Sequence, residues 1–364
     1  MPEIQSAQIV AFYLFDVADA ADLGALSSLV GSEAVAATLR PKPATPAYVQ
    51  YLQPPLMIDG EALQMSDLDG FRVRFKVYDY GVISLALTRR FAGSWVDLVA
   101  IAQRLIEDES LEQQAENCCR RLVERLRPAL TQPRDRFLAE DYLVVAVHTL
   151  DTPVIAEDLI RARGAEIALL LRGEREALSR QEQDEILGKR ISYLADDLVV
   201  PTWNAAFVYD TEAGARAALE ILEFANSQLL EFRYYDELLD AELARIYAEL
   251  QAPRWYDALV GRRYTQAALQ VHSLFIDVNE LTDRAENALK IVGDIYAARL
   301  FGLAAARLGL DRWKASVQEK LKTLDDIYRF SVEQTGMARG QFLELTVVLI
   351  LVLELVLFWM GLMR

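Results

Sequence analysis

The chain has very few of the residues that most often bind transition metals or form disulfides. Its 364 residues include two cysteines and two histidines, and Cys118 and Cys119 are neighbours in a segment that we predict to be helical. Neighbouring helical side chains point about 100° apart, so a disulfide between these two is geometrically poor. His148 and His272 lack any metal-binding spacing. We therefore expect no metal, no cofactor and a reducing compartment.

Positive charge is also scarce. Lys and Arg number 38 against 54 Asp and Glu, which gives a formal net charge of −16 and a pI of about 4.7. Binding to nucleic acid needs clustered cations that neutralise phosphates, so no nucleic-acid partner is expected. Arg72, Arg74 and Lys76 form a small basic stripe on one side of a predicted strand. That stripe fits a phosphate site, but a solvated strand face is the more common explanation.

The sequence lacks the short motifs that position catalytic or phosphate-binding groups. No G-x-G-x-x-G, P-loop, G-x-S-x-G or H-E-x-x-H occurs. The pairs Asp196-Asp197 and Asp325-Asp326 could bind a hard cation, but adjacent acids in so acidic a chain are usually surface groups. We therefore predict that the protein is not an enzyme, with no catalytic, cofactor-binding or metal-binding residue.

Strand patterns are confined to the N-terminal half of the chain. Phe71, Val73, Phe75 and Val77 alternate with polar residues, and Asp79-Tyr80-Gly81 supplies a turn before the apolar run VISLAL. The other predicted elements are a strand over 4–15, a helix over 20–30, a helix over 95–130 and a strand over 142–147. The order β-α-β-β-α-β predicts a ferredoxin-like core over about 4–150, within an α+β domain over 1–210.

The C-terminal half has helical patterns alone. Apolar residues spaced by three and four indicate long helices packed at shallow angles or in a coiled coil. The two stripes are Leu239, Leu243, Ile246 and Leu250, and Leu310, Trp313, Val317, Leu321, Leu324 and Tyr328. A helix over about 254–308, with Leu289 and Val292, is predicted between them. We expect an all-α stalk domain over 211–341.

The longest apolar run of the sequence lies close to its C-terminal residue. Residues 342–363 read FLELTVVLILVLELVLFWMGLM, with Glu344 and Glu354 as the charged residues. A helix of this length spans roughly the 30 Å of a hydrocarbon core. The run predicts a single transmembrane helix acting as a tail anchor. Arg329 and Arg339 precede it, and the first residues lack the positive start of a signal peptide. We therefore expect a single-pass protein of the cytoplasmic (inner) membrane, with its body in the cytoplasm and the bilayer as partner.

Glu354 is a candidate intramembrane functional residue. It falls near the middle of the predicted span, where an acidic side chain costs roughly 2.5–3.5 kcal/mol. Two explanations remain open. The carboxyl group faces other helices of an oligomer as a functional site, or it is protonated and hydrogen-bonded within a helix dimer.

A second candidate lies in the segment LEFRYYDELLD. Arg233, Tyr234, Tyr235 and Asp236 concentrate charge and aromatic surface there and form a candidate interaction segment. An interhelical contact, with rings buried and hydroxyls wet, is favoured over a ligand pocket.

Three stretches together resemble the DUF155 family. They are the turn FKVYDYGVISLAL, the helix LEFRYYDELLD followed by ELARIYAEL, and the terminal FLELTVVLILVLELVL. The matching residues are Tyr80, Gly81, Leu230, Glu231, Arg233, Leu238, Leu239, Asp240, Leu243, Tyr247, Leu343, Glu344 and Glu354. The resemblance implies a membrane-attached, oligomeric and non-catalytic protein, here a distant bacterial member.

Two functions follow as expectations. The first is a membrane-anchored, non-enzymatic scaffold or assembly protein that forms homo-oligomers and binds a protein partner not identified by the sequence. The alternative is an oligomeric ion or proton pathway that uses Glu354, with an architecture similar to CorA-type channels. The Gly-Met-Asn signature of those channels is absent, since Gly336-Met337 is followed by Ala338.

Overall fold

The computed structural model of the chain describes residues 3–31, 34–36, 54–60, 71–251, 276, 278 and 295–359. The strands are β1 (Ile4–Asp16), β2 (Ala20–Ala21), β3 (Ala34–Ala36), β4 (Leu56–Asp59), β5 (Arg72–Val77), β6 (Val82–Gly93), β7 (Leu130–Thr131), β8 (Leu138–Leu150), β9 (Leu198–Pro201) and β10 (Ala205–Tyr209). The α-helices are α1 (Leu23–Val30), α2 (Trp95–Glu107), α3 (Glu109–Leu126), α4 (Ala156–Arg172), α5 (Arg180–Gly188), α6 (Glu212–Gln251), α7 (Ile295–Leu308) and α8 (Leu310–Trp359).

Eight of these strands form one mixed sheet. Its order is β3-β4-β5-β6-β1-β8-β10-β9, and β2 pairs separately with β7. Neighbouring strands are antiparallel except β8 and β10, which run parallel. A parallel pair needs a crossover, and α4 and α5 lie in the connection between those two strands. The long strand β1 is therefore central, because both of its neighbours bond to it along most of its length.

One face of the sheet is covered by α2, α3 and α4. Ile9, Ala11 and Phe15 of β1 point into this layer and share a core with Trp95 of α2 and Leu122 of α3. Alternate strand residues point to one face, which explains why odd-numbered residues of β1 belong to this core. Burial of such side chains contributes roughly 1.5–3 kcal/mol each. This apolar layer is the main source of stability for the sheet.

The opposite face carries the first part of α6, with α7 beside it. Helix α6 begins after Thr211, whose hydroxyl accepts a hydrogen bond from the Gly214 amide at 3.2 Å. Phe224 of α6 packs against Phe301 of α7, with ring centroids 5.7 Å apart. The sheet is thus covered on both faces.

The described chain packs as two compact units. The first contains the sheet, α1 to α5, α6 as far as Tyr234, and α7 with the start of α8 through Trp313. The second contains α6 from Tyr235 and α8 from Lys314. The predicted domain limits at 210 and 341 stay a prediction. The predicted helix over 254–308 falls outside the described residues before Ile295, apart from 276 and 278.

The predicted ferredoxin-like fold is wrong. The antiparallel hairpin of β5 and β6 forms as expected, but the sheet has eight strands instead of four. The short runs within 191–209 form β9 and β10 and extend the sheet through a parallel pair. Leu56–Asp59, directly after Pro54 and Pro55, adds β4 on the other side. The predicted helix over 95–130 is two helices, because Asp108 caps the start of α3.

The predicted transmembrane helix is also wrong. Residues 342–359 are not an element of their own, since they form the end of α8, which begins at Leu310. No helix within the described residues is long and apolar enough to cross a membrane. The expected single-pass location in the inner membrane, with its tail anchor, is therefore not supported. Residues 360–363 of the predicted span lie outside the described residues.

The turn between β5 and β6 depends on Gly81. Its φ is +83°, a value that residues with a side chain rarely adopt. A Cβ at this position would lie 1.9 Å from the carbonyl oxygen of Ala18. Because this oxygen belongs to the backbone, it cannot move away as a flexible side chain could. The Val17 amide donates to the Gly81 carbonyl at 3.0 Å, so the turn is bonded to the chain just after β1.

We predict that Gly81→Ala lowers the free energy of unfolding by roughly 2–4 kcal/mol, because it adds both backbone strain and a clash. Urea denaturation of the full chain measures this. Gly188→Ala, at the end of α5 where a Cβ meets nothing within 4 Å, is the control and should change stability by less than about 1 kcal/mol. Equal losses of stability in Gly81→Ala and Gly188→Ala would contradict the role assigned to Gly81 in the turn.

Candidate functional site

The contact between α6 and the sheet combines buried apolar side chains with paired polar groups, whereas the core on the other face is apolar. One side of α6 carries polar residues spaced by three and four, which places them in a single stripe. These residues are Glu220, Glu223, Ser227, Glu231 and Tyr234. Glu223 pairs with Lys76 of β5, Ser227 bonds Tyr80 of the hairpin turn, and Tyr234 lies against Arg134. These three contacts determine where α6 lies on the sheet and in which direction it runs.

The sheet presents a matching row of residues across four strands. Lys76 is opposite Ser84, Ser84 is opposite Leu14, and Leu14 is opposite Glu140. Three strand spacings separate the two ends of this row, or roughly 14 Å. The ten helical steps from Glu223 to Arg233 also span roughly 15 Å. Helix α6 therefore runs along the row and crosses the strands.

An ion pair joins helix and sheet at each end of the row, with opposite polarity. At the β5 end, cationic Lys76 on the sheet meets anionic Glu223 on the helix. At the β8 end, anionic Glu140 on the sheet meets cationic Arg233 on the helix. Burial raises the pKa of the Glu140 carboxyl, and Arg233 opposes that rise. Turning the helix end for end would bring like charges together at two part-buried positions, which is unfavourable.

Between the two ends, the hairpin turn bonds the middle of α6. The Tyr80 and Ser227 hydroxyls are 2.7 Å apart, and the Ser227 hydroxyl donates to the Phe224 carbonyl at 2.8 Å. Tyr78 stacks on Tyr80 with ring centroids 5.1 Å apart. The turn that Gly81 makes possible thus fixes the position of α6 along the row.

A charge cluster lies beside this row, where β1 ends. We define the Asp16 cluster as Asp16, Asp19, Arg134 and Tyr234. Asp16 is fully buried, and Arg134 Nη1 lies 2.8 Å from its Oδ1. Arg134 Nη2 lies 3.0 Å from Asp19 Oδ1, and the guanidinium carbon is 3.8 Å from the centre of the Tyr234 ring. One cation therefore joins two carboxylates and the helix.

The electrostatics of the Asp16 cluster place a titration near neutrality. Burial raises the pKa of Asp16 to about 7, while Arg134 lowers it and Asp19 raises it. Burial also raises the pKa of Tyr234, against the influence of Arg134. A carboxyl group with such a pKa takes up or releases a proton under ordinary conditions, which is uncommon for an aspartate.

The predicted interaction segment is divided between these contacts. Arg233 and Tyr234 bind the sheet side, to Glu140 and Arg134. Asp236 belongs to the second unit, where its Oδ1 accepts a hydrogen bond from the Ser316 hydroxyl at 2.7 Å. Tyr235 is half-buried next to it. Whether the segment is an interaction site stays a prediction.

The second unit holds α6 and α8 together with a similar mixture of contacts. Lys320 lies 2.8 Å from Asp236 and 2.7 Å from Asp240. Leu239, Val317 and Leu324 are fully buried. The predicted stripes of these two helices therefore include residues of a real core, and the side chain of Tyr328 is outside the described part.

The end of α8 is exposed over its whole circumference. From Val347 to Leu353, each side chain is between 49% and 62% exposed, and Phe358 and Trp359 are exposed further. We call Thr346–Trp359 the apolar segment. Glu354 is exposed within it and is its only charged residue. The side chains of Leu343 and Glu344 fall outside the described part.

Other candidates from the sequence have structural roles. Cys118 and Cys119 are buried free thiols in the core of α3. Asp197 is buried and accepts hydrogen bonds from the amides of Tyr193 and Leu194 in the loop before β9. In the part of the chain that the structure describes, no group of His, Cys, Asp or Glu side chains is arranged to bind a metal ion.

The basic stripe is not one surface. Arg72 is exposed, Arg74 is paired with Asp59 at 3.0 Å, and Lys76 is half-buried against Glu223. Its three members thus have different surroundings, and only Lys76 belongs to the row under α6.

The sequence analysis missed Asp16 and Arg134. One signal was available for Asp16, because it ends the apolar run VAFYLF and a charge at the end of a buried strand requires a partner. Nothing in the sequence identifies Arg134 as that partner, since the two residues are far apart in the chain.

These features define a mixed α/β protein in which a long helix is bonded across the sheet by buried charges. The sequence profile of one protein family matches residues 6–216, and the family is described as "Uncharacterized protein MJ0711, N-terminal domain". The chain belongs to this family. The match covers all of the sheet except the first two residues of β1 and ends shortly after α6 begins, so the polar stripe of α6 lies beyond it. The resemblance to the DUF155 family is therefore wrong.

One curated protein from Methanocaldococcus jannaschii, "Uncharacterized protein MJ0711", is similar to this chain. The two are 24% identical over 223 residues, which cover 61% of this chain and 66% of the relative. The chain thus spans slightly less than two thirds of the relative's length. No solved structure matches the chain.

The Asp16 cluster predicts a pH dependence of stability. The pKa of Asp16 in the folded chain, about 7, is above its value in an unfolded chain, so the folded state binds more protons between about pH 4 and 7. The stability contributed by Asp16 is therefore fully present below about pH 4 and is lost as the pH rises through 7. Asp16→Asn should remove a fall of roughly 2–4 kcal/mol over this range.

Urea denaturation at several pH values measures this slope. Asp19→Asn is the control, because it removes the other carboxylate on Arg134 and leaves Asp16 buried, so the slope should persist. Equal slopes in the wild type and Asp16→Asn would contradict the prediction.

Proposed function

We propose that this protein is a non-enzymatic, self-assembling scaffold whose copies associate through the apolar segment Thr346–Trp359. The observation that carries the proposal is the exposure of this segment on every side of the helix. Large contiguous apolar surfaces are rare on proteins that act as monomers and mark sites of association.

The pattern of exposure indicates how many neighbours the segment needs. A helix packed on one side shows side chains alternating between buried and exposed with a period of 3.6 residues. Seven consecutive residues of the segment, Val347 to Leu353, have nearly equal exposure, so no side is sheltered. Two helices side by side would leave about half of each surface in water. Three or more copies are therefore expected.

A second copy of the same chain is the partner that this surface fits best. Identical segments match in length and are all apolar, and most soluble oligomers are closed, symmetric assemblies of one chain. The packed core of Leu239, Val317 and Leu324 in the second unit supplies a rigid base for the segment. The scaffold would then act by bringing several α/β units together.

The alternative of an ion or proton pathway through Glu354 stays a prediction. Glu354 is exposed in the described chain, and no observation on the described residues favours this alternative over assembly.

Light scattering of the full-length protein tests the proposal. We expect a defined species of three or more copies for the wild type. Leu349→Lys should weaken association by roughly a hundredfold or more, because each copy would bury a charge among apolar side chains. The readout is the concentration at which the assembly dissociates.

Leu194→Lys is the matched control. Leu194 is 61% exposed and Leu349 is 62% exposed, but Leu194 lies in the loop before β9. This variant should leave the assembly unchanged. A monomeric wild type, or an assembly that is insensitive to Leu349→Lys, would overturn the proposal.

A further inference from the structure

We propose that Asp16 is a proton-operated latch that holds the Tyr234 region of α6 to the sheet within the first unit. The latch is closed when the Asp16 carboxylate binds Arg134 and open when Asp16 carries a proton. It is separate from the proposed assembly through α8 and does not depend on it.

The latch rests on the position of Arg134 between three elements. Asp16 ends β1, Arg134 precedes β8, and Tyr234 is on α6. The Arg134 amide donates to the Val17 carbonyl at 2.8 Å, so the backbone of Arg134 is fixed beside the end of β1. Its guanidinium is the part that can move, and it is the link between Asp16 and the Tyr234 ring.

Among the described residues, Arg134 is the cation that acts on Asp16. Its partners on the neighbouring strands are Val82 of β6 and Leu138 of β8, which are both apolar. The charged or titratable groups that act on the Asp16 cluster from the adjoining elements are Asp19, Arg134 and Tyr234. The charge on Asp16 is thus balanced by one cation.

Protonation of Asp16 changes the position in which the guanidinium of Arg134 is most stable. With a neutral Asp16, Arg134 keeps Asp19 as its one carboxylate, and Asp19 is 43% exposed. The guanidinium then gains by moving toward Asp19 and water, and it leaves the face of the Tyr234 ring. A charge-assisted contact between the sheet and α6 is lost, while the buried carboxyl group is stable in its neutral form.

The raised pKa of Asp16 supports a transition near neutrality. Because the folded chain tolerates the neutral carboxyl group, opening of the latch is local and does not require unfolding of the sheet. The earlier part of α6 stays bound to the sheet through the ion pair of Lys76 with Glu223 and the hydrogen bond of Tyr80 with Ser227.

Hydrogen exchange of the full-length protein tests the latch. Exchange is measured at about pH 5.5 and about pH 8, on either side of the transition, and corrected for intrinsic rates. We expect amides around Tyr234 to exchange roughly tenfold faster at the lower pH, the change that follows loss of one charge-assisted contact. Asp16→Asn, which mimics the protonated carboxyl group, should exchange fast at both pH values.

Glu140→Gln is the matched control variant. It weakens the neighbouring ion pair with Arg233 but keeps Asp16. The amides around Tyr234 should therefore exchange faster, with the same pH dependence as in the wild type. Amides of α3, on the other face of the sheet, report global opening, which the predicted pH dependence of stability should make slower at the lower pH. The latch is overturned if the wild type shows no pH dependence, if Asp16→Asn keeps it, or if α3 changes equally, since the effect would then be global.

Discussion

The position of α6 depends on two part-buried ion pairs of opposite polarity. Lys76 to Glu223 and Glu140 to Arg233 join the same helix to the same row of the sheet, in reversed order. Apolar contacts alone would allow a helix to slide or turn on a sheet, because they have no direction. Charged pairs oppose sliding or turning of the helix, because either movement separates each charge from its partner. The polar stripe therefore contributes specificity, while the apolar core on the other face contributes most of the stability.

The Asp16 cluster and the hairpin turn follow from this arrangement. Because α6 crosses the sheet at this row, Ser227 meets Tyr80 and Tyr234 meets Arg134. Burial is the main cause of the raised pKa of Asp16, whose partner Arg134 is also the residue that contacts Tyr234 of α6. The proton latch is thus a consequence of how α6 is held.

Sequence patterns predict the local elements well and the long-range pairings poorly. The alternation from Phe71 to Val77 and the turn at Gly81 predict the hairpin, because both signals are local. The strand Leu56–Asp59 is only 4 residues long and follows two prolines, and its place in the sheet depends on pairing with β5. Likewise, Asp16 could have been noticed as a charge at the end of a buried strand, but its partner Arg134 is set by tertiary structure. The exposed apolar end of α8 was found in the sequence, and its assignment to a membrane was wrong.

An exchange of charges between the two ends of α6 tests the central claim most directly. Glu223→Arg combined with Arg233→Glu keeps the composition and net charge and reverses the polarity of the helix alone. The free energy of unfolding in urea should fall by roughly 2–4 kcal/mol, because both part-buried pairs become repulsive. Adding Lys76→Glu and Glu140→Lys reverses the sheet row as well and should restore most of the loss. A fourfold variant no more stable than the helix exchange, or a helix exchange without effect, would contradict the account.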